Sequence, residues 1–244
     1  MANFVAFCKA RGRRIYFRGQ NRLYPTLQPS LFRAQGDLHA RWRAYARFVR
    51  ELPTSVTGTR YRRKNFGAVL QHYGFTTAWL DVVDDIHAAV WFALHRFSSE
   101  EGRHFYRRSD SAHAWVVLLS VPRSVRRQDL RESQSSRNAR CHAQQGWSLA
   151  MQHDSDHRSN AAQDFSGFVI ARVRIPNEPK WHLTGFMASQ EFLFPSAELD
   201  STYKHLQSAD VGNLVARIEI EEGIPPRTLG RTAIYGADQG NSAV

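Results

Sequence analysis

Cysteine is scarce in this chain: Cys8 and Cys141 are the two among 244 residues. A pair of cysteines makes no disulfide framework, and such usage suits a reducing compartment. Long apolar runs are also missing, and none approaches the ~20 residues of a membrane span. The opening nine residues hold only a brief apolar stretch ahead of Lys9, Arg11, Arg13 and Arg14, too short and in the wrong order for a secretory signal. A soluble protein is expected, cytoplasmic or delivered into the cytoplasm of a target cell. No internal repeat, low-complexity block, zinc motif, P-loop, Rossmann fingerprint or nucleophile elbow is present. The run His153-Asp154-Ser155-Asp156-His157 has metal-ligand residue types but no rigid spacing, so it reads as a solvated loop and no metal is expected. Acidic residues are outnumbered, 22 against 33 lysines and arginines, for a net charge of +11. That balance predicts attraction to polyanions such as nucleic acid, an anionic membrane or a phosphate-rich cofactor.

Apolar content of 42% is ordinary for a globular chain, and this length supports one substantial core. The pattern predicts an α+β fold, a single domain of short mixed or antiparallel strands with packed helices. Residues 15–18 read as a strand broken at Gly19 by a close backbone approach. Leu38, Trp42, Tyr45, Val49 and Leu52 share a helical face that starts at Asp37 and ends at Pro53. A helix over 66–73 stops at Gly74, a strand covers 76–83, and a buried helix covers 86–97. Strands follow at 115–121 and 168–175, separated by the polar Arg-rich connector 122–139. Ser196 is placed to cap a helix carrying Leu199, Tyr203 and Leu206, and 214–220 alternates like a last strand. The domain then spans 1–224, and 225–244 reads as a poorly structured tail.

Five segments stand out in order: FRGQ at 17–20, PSLFR at 29–33, QHYG at 71–74 with Leu80-Asp81, RCHAQQGW at 140–147, and FLFPS at 192–196. As a set, over roughly residues 10–206, they resemble the FRG domain family. The chain departs from that family's pattern at Thr76 and Ala78, where a proline and an arginine are usual, and at Val82-Val83, where tryptophan-threonine is usual. It also carries Ser148 where an aromatic is expected, with Trp147 one position early. The layout further resembles mono-ADP-ribosyltransferases of the arginine-serine-glutamate type, which implies a split sheet and NAD as substrate. The resemblance implies a toxin or defence effector, with an antitoxin or immunity protein as a candidate partner.

On that likeness Arg18, Gly19 and Gln20, with His72 and Tyr73, form the expected dinucleotide site. Arg18 anchors phosphate or ribose through charge-assisted bonds. The expected catalytic set is Arg18, Asp81, Gln144 and Glu191. Asp81 would stabilise a ribosyl cation or activate the nucleophile, Gln144 would orient a ribose hydroxyl, and Glu191 is the alternative carboxylate. Structural readings stand beside each role: Asp81 as helix cap or arginine partner, Gln144 on a buried backbone edge, His72 and Tyr73 as packing residues, Glu191 as a solvated charge. Arg126, Arg127, Arg131 and Arg140 of the basic connector, with Arg60, Arg62, Arg63 and Lys64, suit a phosphate backbone. The expected activity is NAD-dependent ADP-ribosyl transfer to RNA or DNA. The alternatives are NAD hydrolysis and a nucleic-acid-binding module without catalysis.

Overall fold

The computed structural model describes residues 13–33, 36–52, 63–100, 103–132, 139–151, 163–178 and 187–230. The HDSDH run, Arg60, Arg62, Cys8 and residues 231–244 lie outside them. Within this set a six-stranded sheet runs in the order β6-β7-β2-β1-β5-β8. Its strands are β1 (Arg14–Gln20), β2 (Leu80–Val83), β5 (His113–Val121), β6 (Arg126–Asp129), β7 (Gly146–Ala150) and β8 (Val169–Pro176). Every neighbouring pair is antiparallel. A separate hairpin joins β3 (His95–Glu100) to β4 (Arg103–Arg108). With the helices packed around it, the chain is a single-domain α+β fold.

The sheet is nearly divided at its centre. β1 and β5 are paired along their length, from Arg14↔Val121 to Gln20↔Trp115. β1 and β2 meet only at Phe17↔Val83. Beyond that contact the two halves, β6-β7-β2 and β1-β5-β8, diverge and leave backbone groups without a ladder partner.

Two helices cover one face on either side of this divide. Helix α3 (Arg63–His72) lies over β2 and β7, where the Ser148 hydroxyl donates to the Ala68 carbonyl at 3.1 Å. Helix α4 (Ile86–Leu94) lies over β1 and β5, burying Ala89 and Ala93 against Phe17, Val116 and Leu118. Asp85 caps α4 by accepting from His87 and Ala88 backbone N–H groups. On the opposite face Tyr16, Val82, Leu119, Trp147 and Leu149 are sealed by Leu27 and by Phe165 of a short 3-10 turn. Helix α1 (Ser30–Arg33) leads into α2 (Leu38–Glu51), capped by Asp37 as expected; its buried face is Ala40, Ala44, Tyr45 and Phe48, so of the expected stripe Tyr45 is buried while Leu38, Trp42 and Val49 are only partly so.

Several sequence expectations are corrected. The strand at 76–83 is confined to Leu80–Val83. The helix predicted to reach 97 ends at Leu94, because from His95 onward the backbone finds partners in β4. The connector 122–139 contains β6, and α5 (Ala139–Ala143) precedes β7. Ser189 caps α6 (Gln190–Leu193), and Asp200, rather than Ser196, caps α7 (Ser201–Leu206); Leu199 is exposed. Residues 214–220 are not a strand but part of α8 (Ala209–Glu221). There Val211, Val215 and Ile218 recur at helical spacing in the core while Ile220 faces solvent, so the apparent alternation is incidental. The tail does not begin at Pro225 either. Leu229 is fully buried, its N–H donates to Glu219 Oε1, and its carbonyl accepts from Thr76 N–H.

Gly19 does not interrupt β1, but the close approach is real. A Cβ there would meet the Ala89 carbonyl oxygen at 2.1 Å and the Ala93 nitrogen at 2.5 Å, both backbone atoms of α4. Gly19→Ala must push α4 off the sheet. Its cost is expected to be about 3 kcal/mol or more, the upper range for overpacking, read as a lower denaturation midpoint with an unchanged m-value.

Candidate active site

A cavity of about 270 Å³ opens where β1 and β2 part. Phe17, Arg18, Gly19 and Gln20 line it from β1, Asp81 and Val83 from β2, Gln71 and His72 from α3. Phe92 of α4, Phe97 and Tyr106 of the hairpin, and Phe194 after α6 form an aromatic wall, with Tyr106 and Phe194 stacked at 4.4 Å. All five sequence motifs therefore reach one space, PSLFR through Arg33 and FLFPS through Phe194. RCHAQQGW adds Gln144.

The Arg18 side chain turns into the gap in the sheet. Its Nη1 donates to the Asp81 carbonyl oxygen and, at 2.6 Å, to Asp81 Oδ1. The guanidinium thus fills the place of the missing ladder bond and neutralises the carboxylate in the same contact. Gln71 Nε2 approaches the same Oδ1 at 3.5 Å. Among the described residues, no other residue donates to Oδ2. Asp81 is enclosed by protein, yet 41% of its side chain remains accessible because it faces the cavity. Enclosure opposes its charge, but Arg18 outweighs this and holds the carboxyl well below the usual carboxylate range.

Gln144 is buried and fixed at both ends of its amide. Nε2 donates to the Leu193 carbonyl at 2.9 Å, so Oε1 is left to face His72 Nδ1 at 3.1 Å. A carbonyl only accepts, which orients the amide and puts the imidazole proton on Nδ1. Burial pushes the His72 pKa below its ordinary value, while Asp81 and Gln144 pull the other way. His72 is therefore neutral near pH 7. Its ring also needs a glycine opposite, since a Cβ at Gly146 would meet His72 Cε1 at 2.8 Å.

Other expected site residues are placed elsewhere. Tyr73 points into the core, where its hydroxyl donates to Asp200 at 2.8 and 3.0 Å; burial, then Cys141 and Asp200, push its phenol well above the ordinary value. Tyr73 is not a cavity residue. Arg140 is buried over the rings of Tyr203, Tyr73 and Phe194, and its backbone N–H donates to Asp200, so it is a core cation and not a phosphate contact. Arg131 is bound by Asp129, Asp84 and Gln145, and Arg126 lies over the Trp79 ring at 4.9 Å. Arg127, on β6, is half-buried. Glu191 is exposed on α6 outside the cavity lining, and backbone and Ser189 hydrogen bonds lower its pKa. The Cys141 thiol, pushed up to about 12 by burial, is inert at neutral pH. The residues that motif reading overlooked are the aromatic ones of the hairpin, Phe97 and Tyr106. Phe97 was hidden by the apparent continuation of α4, and no periodicity across 95–108 marks Tyr106.

What the geometry defines is an α+β protein with a carboxylate–arginine pair set in a partly aromatic cavity at a sheet divide. The family model described as FRG domain matches residues 13–102, a stretch that makes up less than half of the chain. It holds Arg18, Gln71, His72 and Asp81, whereas Gln144 and Phe194 come from later in the chain. No curated protein and no solved structure matches the chain. No helix of the described residues is long and apolar enough to cross a membrane.

The ion pair gives a pH signature. A carboxyl depressed in the folded state adds stability above its unfolded pKa, about 3.9, and loses it as pH falls toward the folded value. Arg18→Met is expected to be less stable than wild type at pH 7, with a deficit that narrows below about pH 4. Chemical denaturation across this range measures it, and a constant deficit would show the stabilisation to be packing alone.

Proposed function

We propose that the cavity binds the nicotinamide-ribose end of NAD and that the protein transfers ADP-ribose to nucleic acid. The supporting observation is Asp81, an ionised carboxylate with Oδ2 open to a cavity that has an aromatic wall. In the reaction, the C1′–N bond breaks and its electron pair leaves with nicotinamide. The ribose becomes oxocarbenium-like, and an acceptor nucleophile adds to C1′ and gives up its proton. A fixed negative charge beside C1′ stabilises the developing cation without reorganisation. Aromatic faces suit the leaving heterocycle, and the amides of Gln71 and Gln144 suit ribose hydroxyls. Arg18 holds Asp81 in place with Nη1, while its Nε is buried without a hydrogen-bond partner. The volume of about 270 Å³ lies just below the ~300–1,000 Å³ typical of small-molecule pockets, which fits a nucleoside-sized group rather than a whole dinucleotide. An activity of this kind suits a toxin or defence effector held in check by an antitoxin or immunity protein.

A second reading, NAD hydrolysis with water as acceptor, draws support from the connector. Arg131 and Arg140, expected to grip an acceptor, are bound inside the protein. Incubation with labelled NAD, with and without oligonucleotide, separates the two: label on nucleic acid supports transfer, and free nicotinamide without label supports hydrolysis.

Asp81→Asn is expected to lower kcat on the order of 100-fold, equivalent to about 3 kcal/mol, with NAD affinity little changed, because the interaction strengthens as charge develops. Gln144→Ala is expected to weaken NAD binding as well as turnover. Glu191→Gln, outside the cavity, serves as the control and should retain full activity. A folded Asp81→Asn protein with wild-type turnover would overturn the assignment.

A further inference from the structure

A basic surface apart from the connector is found on β8. Directly paired residues of antiparallel strands project to the same face. The register places Arg18, Val117 and Arg172 in one row across β1, β5 and β8, and Gln20, Trp115 and Arg174 in the next. Arg18 and Gln20 line the cavity. Neighbouring strands lie ~4.8 Å apart, so Trp115 is one strand from the cavity wall and the two arginines are roughly 10 Å from it at the backbone. Arg172 and Arg174 are exposed and make no hydrogen bond or ion pair among the described residues. Trp115, directly opposite Arg174 and diagonal to Arg172 on the same face, is only half-buried, whereas Val117, opposite Arg172, is covered. Leaving two arginines open on the edge strand β8, beside a half-buried indole on β5, has no folding rationale beyond solubility. An aromatic ring with unpaired guanidinium groups beside it is, however, the chemistry that holds a single strand of nucleic acid, with bases stacked on the ring and phosphates on the cations.

We infer that the Trp115–Arg172–Arg174 surface binds single-stranded nucleic acid and leads it to the mouth of the Asp81 cavity. This deepens the proposed function, on which it rests for the meaning of acceptor, but it makes a separate binding claim. It also accounts for the location: an acceptor has to approach from beside the ribose, and these two rows run outward from the side chains that would hold it.

Fluorescence anisotropy with the full chain and a labelled single strand of about 12 nucleotides tests it, as RNA and as DNA. In Arg172→Gln/Arg174→Gln the slope of log affinity against log salt should flatten by about 0.7 per lost contact. Trp115→Leu should weaken binding about tenfold, and Trp115→Phe should restore most of it, since only the latter keeps a stacking face. NAD consumption without oligonucleotide should be unchanged in the double arginine variant. A wild-type salt slope in that variant, or equal binding by the Leu and Phe variants, overturns the inference. If wild type does not consume NAD but binds the strand through this surface, the proposed function fails and the surface stands. If NAD is consumed and strand binding ignores these residues, the reverse holds.

Discussion

The contact between Arg18 and Asp81 is the point on which the two halves of the sheet, and the cavity between them, depend. β1 and β2 share a single register pair, so the backbone there cannot bind the halves together. Arg18 supplies the substitute, one guanidinium nitrogen serving both the carbonyl and the carboxylate of Asp81. Charges removed from bulk water are costly unless paired, and removing one partner strands the other. The pair is thus a structural tie as well as the polar floor of the cavity. That dual use is why the carboxylate can stay ionised while facing a partly aromatic wall.

A second constraint is the close fit of α4 on β1. Gly19 lets helix backbone touch strand backbone, which brings Phe92 and the start of the hairpin to the cavity. On the other side of the divide, α3 presents Gln71 and His72. Two helices on one face, one for each half of the sheet, make the space between them unavoidable once the strands diverge.

The arginines divide by environment rather than by position in the chain. Arg41, Arg131 and Arg140 are absorbed by carbonyls, carboxylates and aromatic rings inside the fold. A guanidinium has flat faces and a long apolar stem, so it can be buried where a lysine would be less easily satisfied. A net charge of +11 therefore says little about where a polyanion binds. The unpaired cations on β8 are more informative than the richer Arg content of the connector.

By itself the sequence determined the elements whose signals are local: the Asp37-capped helix, the strand at 115–121, the half-exposed β8, the turn at Gly74, and the motif residues Arg18, Asp81 and Gln144. These depend on periodicity, capping and backbone conformation, which neighbours in the chain largely set. Tertiary structure decided the rest. Residues 214–220 carry apolar positions compatible with periods of 2 and 3.6, and packing of Val211, Val215 and Ile218 against the helical core selected the helix. His95 left the helical pattern because β4 offered it ladder partners. Tyr73 and Arg140 sit within motifs yet face Asp200 and the core, while Phe97 and Tyr106, outside any motif, face the cavity. Which face a side chain occupies follows from strand register and helix placement, and those are settled only when segments far apart in the chain are packed together.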